Sequence, residues 1–281
     1  MTGTSNRDID PALREAATLA EQARWEEAIA LLKRLLRTAA DSVARTRLQL
    51  ALVRVYNEED WTRGLRNRSA KHAILDEIDR NTALSTDLLA EALFLRGAVL
   101  HLDFIMAQGD PERELGCFTR AAELFEQLGD RENAALATAF IGIFHHVDRL
   151  DRQTAEPILR RAFEMAPDTG GSYARAEAAR HLGQIQQERG DPKGALEMLD
   201  EALQQVAEAG LSRHLASALH AIGYARLEAG DLAGADDYLR RAREMGERHG
   251  SRFFLSIIAR TEGDLALRQL TGPTVHGRTH P

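Results

Sequence analysis

Cysteine is nearly absent: Cys117 stands alone in 281 residues. One thiol cannot make an intrachain disulfide framework, so a reducing compartment is the natural expectation. Proline is scarce too, with seven residues, most of them at junctions or near a terminus. That suits a nearly all-helical chain. There is no basic excess: 36 Lys and Arg face 43 Asp and Glu, a formal net charge of −7. This argues against a general nucleic-acid binder. The longest apolar stretch, Leu88 to Ala107, is broken by Glu91, Arg96, His101 and Asp103, which argues against a membrane span. The segment Met1 to Asp10 is polar and lacks an apolar core, so no signal peptide is expected. A cytoplasmic location follows. No Gly-x-x-x-x-Gly-Lys-Ser/Thr, Gly-x-Ser-x-Gly or His-Glu-x-x-His string occurs, which removes a P-loop, a nucleophile elbow and a zincin helix.

What is present is a period. Gly109-Asp110-Pro111, Leu150-Asp151-Arg152, Gly190-Asp191-Pro192 and Gly230-Asp231-Leu232 are copies of one string, their aspartates 41, 40 and 40 residues apart. Gly129, Gly170, Gly210 and Gly250 follow in the same step. Self-similarity at about 40 residues predicts stacked helical hairpins. In the clearest unit a first helix runs from Tyr173 to Arg189 and ends at Gly190. Asp191 caps the second helix and Pro192 fills its first position. Gly210 ends it, and Ser212 is expected to cap the next.

Four residues after Asp151, Asp191 and Asp231 come Ala155, Ala195 and Ala235; eight after, Leu159, Leu199 and Leu239; eleven after all four aspartates, Ala121, Ala162, Ala202 and Ala242. These offsets trace one helix face. Together with Leu182-Gly183 and Ile222-Gly223 on the first helices, the pattern resembles the tetratricopeptide repeat. The step exceeds that family's usual period and is similar to its long-helix variants in kinesin light chains and bacterial signalling ATPases. The resemblance is tight over residues 108–250. Ala23 to Ala28 with Leu32 and Leu35 reads as an earlier second-helix start, and Asp60-Trp61-Thr62-Arg63-Gly64 as another. The step from Asp60 to Asp110 is 50, so the second unit is enlarged. The expected architecture is all-α, a right-handed α-α superhelix of about six hairpins with a C-terminal capping helix, Arg252 to about Leu270. Residues 1–10 are expected to be flexible, 11–270 to form the repeat domain and 271–281 to be a disordered tail.

The resemblance implies that first helices line a concave groove. In repeats five and six they offer Glu177, Arg180, His181, Gln184, Gln187 and Glu188, then Ser217, His220, Tyr224 and Glu228. The chaperone-binding members' carboxylate clamp is not matched, since Leu13, Ala16 and Ala17 occupy that area. Repeats three and four are different. Leu88 to Ala107 is apolar nearly all round, with Phe94 and Phe104; Ala134 to Val147 repeats this with Phe140 and Phe144. A helix apolar on every side should be covered on every side. The cover is an internal element, a helix or peptide of a partner, a second copy of the chain, or a small apolar ligand in a closed pocket.

His101, Asp103, His145, His146 and Asp148 punctuate that region. His145 or His146 could act as a base or a pH-sensitive contact if a pocket existed; a metal site would need several of these groups to converge. Neither a metal nor a cofactor is expected. His72 and Asp76 read as a surface pair, Cys117 as packing, and the pairs Arg160-Arg161 and Arg240-Arg241 as a solvated outer face. The leading expectation is a non-enzymatic interaction module, a scaffold or regulatory protein that holds a protein or peptide in its groove. Phe94, His101, Phe104, Phe140, Phe144, His146, Arg180, His181, Gln184, His220 and Tyr224 are its candidate contacts. A small-molecule sensor or enzyme and a homodimer scaffold are the alternatives.

Overall fold

In a computed structural model, which describes residues 9–107, 111–168 and 170–271, the chain forms thirteen α-helices and no strand among those residues. Most of the expected flexible start, all but the first residue of the expected tail, and the Gly109-Asp110 string lie outside them. Six antiparallel hairpins follow in order. They are α1 (Asp10–Glu21) with α2 (Trp25–Leu36), α3 (Ser42–Arg63) with α4 (Arg68–Asp79), and α5 (Thr86–Ala107) with α6 (Pro111–Leu128). Then come α7 (Arg131–Ile143) with α8 (Arg152–Met165), α9 (Tyr173–Glu188) with α10 (Pro192–Glu208), and α11 (Leu215–Glu228) with α12 (Leu232–His249). A last helix, α13 (Arg252–Thr271), closes the array. The result is the expected right-handed all-α superhelix. Among the described residues no helix is long and apolar enough to cross a membrane.

The repeat aspartates work as caps. Asp151, Asp191 and Asp231 accept from the backbone N–H of Thr154, Gly194 and Gly234 at 3.0, 3.0 and 2.9 Å, each contributing about 1 kcal/mol. Ser212 does not cap α11; it lies in a short 3-10 turn, Ser212–His214, that leads into the helix without a side-chain cap. Packing inside each hairpin follows one rule. A Cβ added at Gly183 would stand 2.8 Å from Leu199 Cγ, and one at Gly142 would stand 2.6 Å from Leu159 Cγ. Gly97 meets Phe118 and Gly223 meets Leu239 in the same way. Leu159, Leu199 and Leu239 are at most 1% exposed, each burial being worth roughly 1.5–3 kcal/mol.

The second repeat departs from the expected register. Asp60 and Trp61 end a 22-residue first helix rather than starting a second one, and α4 begins only at Arg68. Gly64, at φ +91°, breaks α3. The Asp60 carboxylate accepts from the backbone N–H of Arg66 and Asn67 at 2.9 and 3.0 Å, and it meets Lys71 Nζ at 2.8 Å with both side chains fully buried. His72 pairs with Asp103 at 2.7 Å, not with Asp76, which takes Arg96. Helix α5 is covered internally. Leu88, Ala92, Leu95 and Val99 pack on Leu50, Val53, Leu75 and Ile78 of α3 and α4, while Ala90 and Phe94 pack against α6 and α7.

The superhelix also returns on itself. Helix α13 touches α3, with Phe253 edge-on to Trp61 at 5.6 Å between ring centroids. Arg213, between α10 and α11, reaches Glu58 of α3 and Glu21 of α1 and lies 5.9 Å over the Trp25 ring.

Candidate functional site

On the first helices of the fifth and sixth hairpins, α9 and α11, polar side chains are held in buried or half-buried contacts. On α9, Arg180 binds Glu177 at 2.6 Å, and its other contact is the Nε2 of His181 at 2.7 Å. His181 Nδ1 lies 2.9 Å from Nδ1 of His146. The directions of these bonds follow from the donors available. Arg180 can only donate, so His181 Nε2 accepts and its Nδ1–H donates to His146 Nδ1. His146 then carries its proton on Nε2, 3.7 Å from Glu188. Burial holds both imidazoles below their ordinary pKa, with Arg180 adding to the effect on His181. Burial would raise the Glu177 carboxyl, but Arg180 beside it outweighs this and holds it below its usual value. His220 donates to or accepts from the Thr261 hydroxyl at 2.9 Å. Burial, and then Arg180, push it down to about 4. Tyr224 stacks beside it at 6.4 Å and is 38% exposed, and Gln184 is half-buried on α9. At the seam, Tyr173 lies 4.5 Å from His214, and the Arg213 guanidinium helps hold Glu58 below its usual pKa against burial.

The aromatic candidates form a wall rather than an open anchor. Phe94, Phe118 and Phe140 make a triangle with centroid distances of 5.7, 5.0 and 5.5 Å. His101 continues it, 6.0 Å from Phe140 and 6.1 Å from Trp61. Phe104 is half-buried late in α5. Phe144 is only 1% exposed, which corrects its expected role: it has no surface to offer a partner. The expected open polar groove of repeats five and six is likewise corrected. Glu177 and His181 are 7 and 3% exposed, held by Arg180 and His146, and Ser217, 9% exposed, donates to the His214 carbonyl.

The histidines of the apolar middle do not share one pocket. His146 belongs to the α9 chain, His145 stands beside the Phe144 ring, and His101 faces Glu114 at 2.8 Å and Asp148 at 3.6 Å. In that last cluster burial works against the imidazolium, yet Asp148 and Glu114 push His101 up to about 9. Burial, with Asp148 adding to it, raises Glu114. Asp148 arrives through a π-helical turn, Phe144–Asp148, after α7. Sequence reasoning singled out His101 and Asp148 but missed Glu114, one turn into α6. It also missed Glu58, Trp61, Arg213 and Phe253 as inner-face residues, since no local pattern marks contacts made across the whole array.

Helical hairpins stacked on a repeated glycine–leucine contact define a helical-repeat protein. The tetratricopeptide repeat family matches residues 174–248 directly. Among solved structures the chain is similar to a Rap protein complexed with Competence and Sporulation Factor, at 17% identity over 95% of this chain and 74% of that one, TM-score 0.62. It is also similar to BtubC from P. vanneervenii, at 18% identity over 84% and 90%, TM-score 0.53. A signal-transduction ATPase with a tetratricopeptide repeat sensor, from Pyrococcus horikoshii, is similar over 92% of this chain and 41% of that one, at 14% identity and TM-score 0.55. At these identities the likeness is one of fold. No curated protein matches the sequence.

Proposed function

We propose that the chain is a non-enzymatic interaction module that takes a peptide or an extended protein segment along the inner faces of α9 and α11. The observation that carries this reading is the lining itself. Charged and imidazole side chains sit where stability alone would favour apolar ones, because buried charge pairs rarely stabilise as much as apolar packing. Arg180 nevertheless keeps 20% of its side chain accessible. Arg180 and Glu177 suit the carboxylate and amide groups of an extended chain, with His220, Gln184 and Tyr224 beside them. The Rap structure, solved with a bound factor, supports the same reading. The apolar middle, which raised a small apolar ligand and a second copy as alternatives, is taken up by internal contacts. A partner segment therefore enters by displacing the Arg213 seam, not by filling a bare groove.

A random peptide display against the full chain tests this. Peptides should be enriched, and Arg180→Ala should weaken them about tenfold, or ~1.4 kcal/mol. Arg240→Ala, on the exposed face of α12, should leave them unchanged. Failure to enrich any peptide, or enrichment indifferent to Arg180→Ala, would count against the proposal.

A further inference from the structure

We infer that His101, Glu114 and Asp148 form a structural binding site for a divalent transition-metal ion, with zinc the best-fitting case. One imidazole nitrogen and one oxygen from each carboxylate lie within 4.8 Å of one another. The shorter separations are 2.8 Å from His101 Nδ1 to Glu114 Oε1 and 3.6 Å to Asp148 Oδ2. Three donors on a tetrahedral zinc, at about 2.0–2.2 Å each, would stand roughly 3.3 Å apart. The ligand atoms thus need shift by only about an ångström to share an ion. Their surroundings point the same way. The Glu114 and Asp148 side chains are fully buried and His101 is 7% exposed. Glu114 Oε2 and both oxygens of Asp148 lack a hydrogen-bond partner. Native proteins rarely leave buried carboxylate oxygens unsatisfied.

Charge gives an independent reason. Two carboxylates face one imidazole, so with both acids ionised even a protonated His101 leaves one negative charge uncompensated. Among the described residues no lysine or arginine forms an ion pair with either acid. The neighbouring Arg149 turns away to Glu112 and the Phe144 ring. A divalent cation would satisfy this buried excess, and Asp148 could bind it through both oxygens to complete four contacts. The backbone is arranged to deliver that residue. The Phe144 carbonyl accepts from Arg149 N–H five positions on, at 3.2 Å, and such π-turns recur at functional sites. The site would tie the α5–α6 hairpin to the end of α7, and it is separate from the peptide-binding proposal.

The test uses the full chain, stripped with EDTA and dialysed. Titration with zinc chloride by calorimetry should show one site per chain, and zinc should raise the unfolding temperature. Asp148→Asn and Glu114→Gln should each lower zinc affinity at least 100-fold while leaving the helical circular dichroism intact. Should either variant fail to fold, the wild-type chain is read directly with cobalt(II), which should give the visible bands of tetrahedral nitrogen and oxygen ligation without a thiolate charge-transfer band from Cys117. Absence of one-equivalent binding, zinc binding unchanged in a folded variant, or a thiolate band overturns the inference. So does a rise in stability of Asp148→Asn with no metal dependence in the wild type, which would assign the cluster to a shared proton.

Discussion

Leu150 stands where the fifth and sixth repeats have Gly190 and Gly230, and it takes the same left-handed conformation, φ +54° against +79° and +82°. Ala23 does so in the first repeat at φ +57°. A side chain in that region costs about 1–2 kcal/mol, and glycine returns part of this through its freer unfolded state. Leu150→Gly should therefore stabilise the chain by about 1 kcal/mol, since Leu150 is 74% exposed and contributes little packing. Urea unfolding of the purified variant reads this, and an unchanged or lower midpoint would refute the strain. His220 supplies a pH dependence at the same scale. Its folded pKa of about 4 lies below the ordinary imidazole value of 6.5, so the unfolded state binds the extra proton between them. Its contribution is full above pH 6.5 and is lost as pH falls toward about 4. Burial of His181 and His214 acts in the same direction. Thermal unfolding across that window should fall less steeply for His220→Gln than for wild type.

The glycine–leucine contact is the device that makes a hairpin. Alanine in place of a helical glycine normally gains about 1 kcal/mol. At Gly183 the sign should reverse, because the new carbon would meet Leu199 Cγ at 2.8 Å and the Ala195 carbonyl oxygen at 3.0 Å. Gly183→Ala should destabilise by about 1–3 kcal/mol, and its cost in a Leu199→Ala background should shrink, as a double-mutant cycle in urea would reveal. Such local contacts were legible in the sequence, since a small residue on one helix and a large one at a fixed offset on the next repeat with the period. The second repeat was misread because Asp60-Trp61 imitates the string that starts a second helix, while the true break is Gly64 and the helix starts at Arg68. Within the buried triad, His101 and Asp148 were visible as polar interruptions of apolar helices. Glu114 was marked only as a departure from the repeat, since it stands four residues after Asp110 where the later aspartates are followed by alanine, and a glutamate in the first turn of a helix otherwise reads as an ordinary dipole partner.

For the whole molecule, the decisive contact joins residues that no periodicity connects. Arg213 is 155 positions from Glu58 and 192 from Glu21, and only the curvature summed over five hairpins brings them together. That is why the sequence suggested an open groove and the structure has a closed turn. Arg213 is 12% exposed on its side chain, so Arg213→Ala would leave two part-buried acids without their cation and should cost about 3 kcal/mol. Solution X-ray scattering should show a larger radius of gyration, and Arg213→Ala with Glu58→Gln should recover part of the stability. An unchanged radius would mean that the Trp61–Phe253 contact alone holds the turn shut.

The seam also has a consequence for how this chain can evolve. Open repeat arrays lengthen and shorten by whole units, because each unit touches only its neighbours. Here a duplicated or deleted hairpin would swing Arg213 past Glu21 and Glu58 and carry Phe253 away from Trp61. Copy number is therefore constrained by geometry in this molecule, through one guanidinium and one pair of aromatic rings.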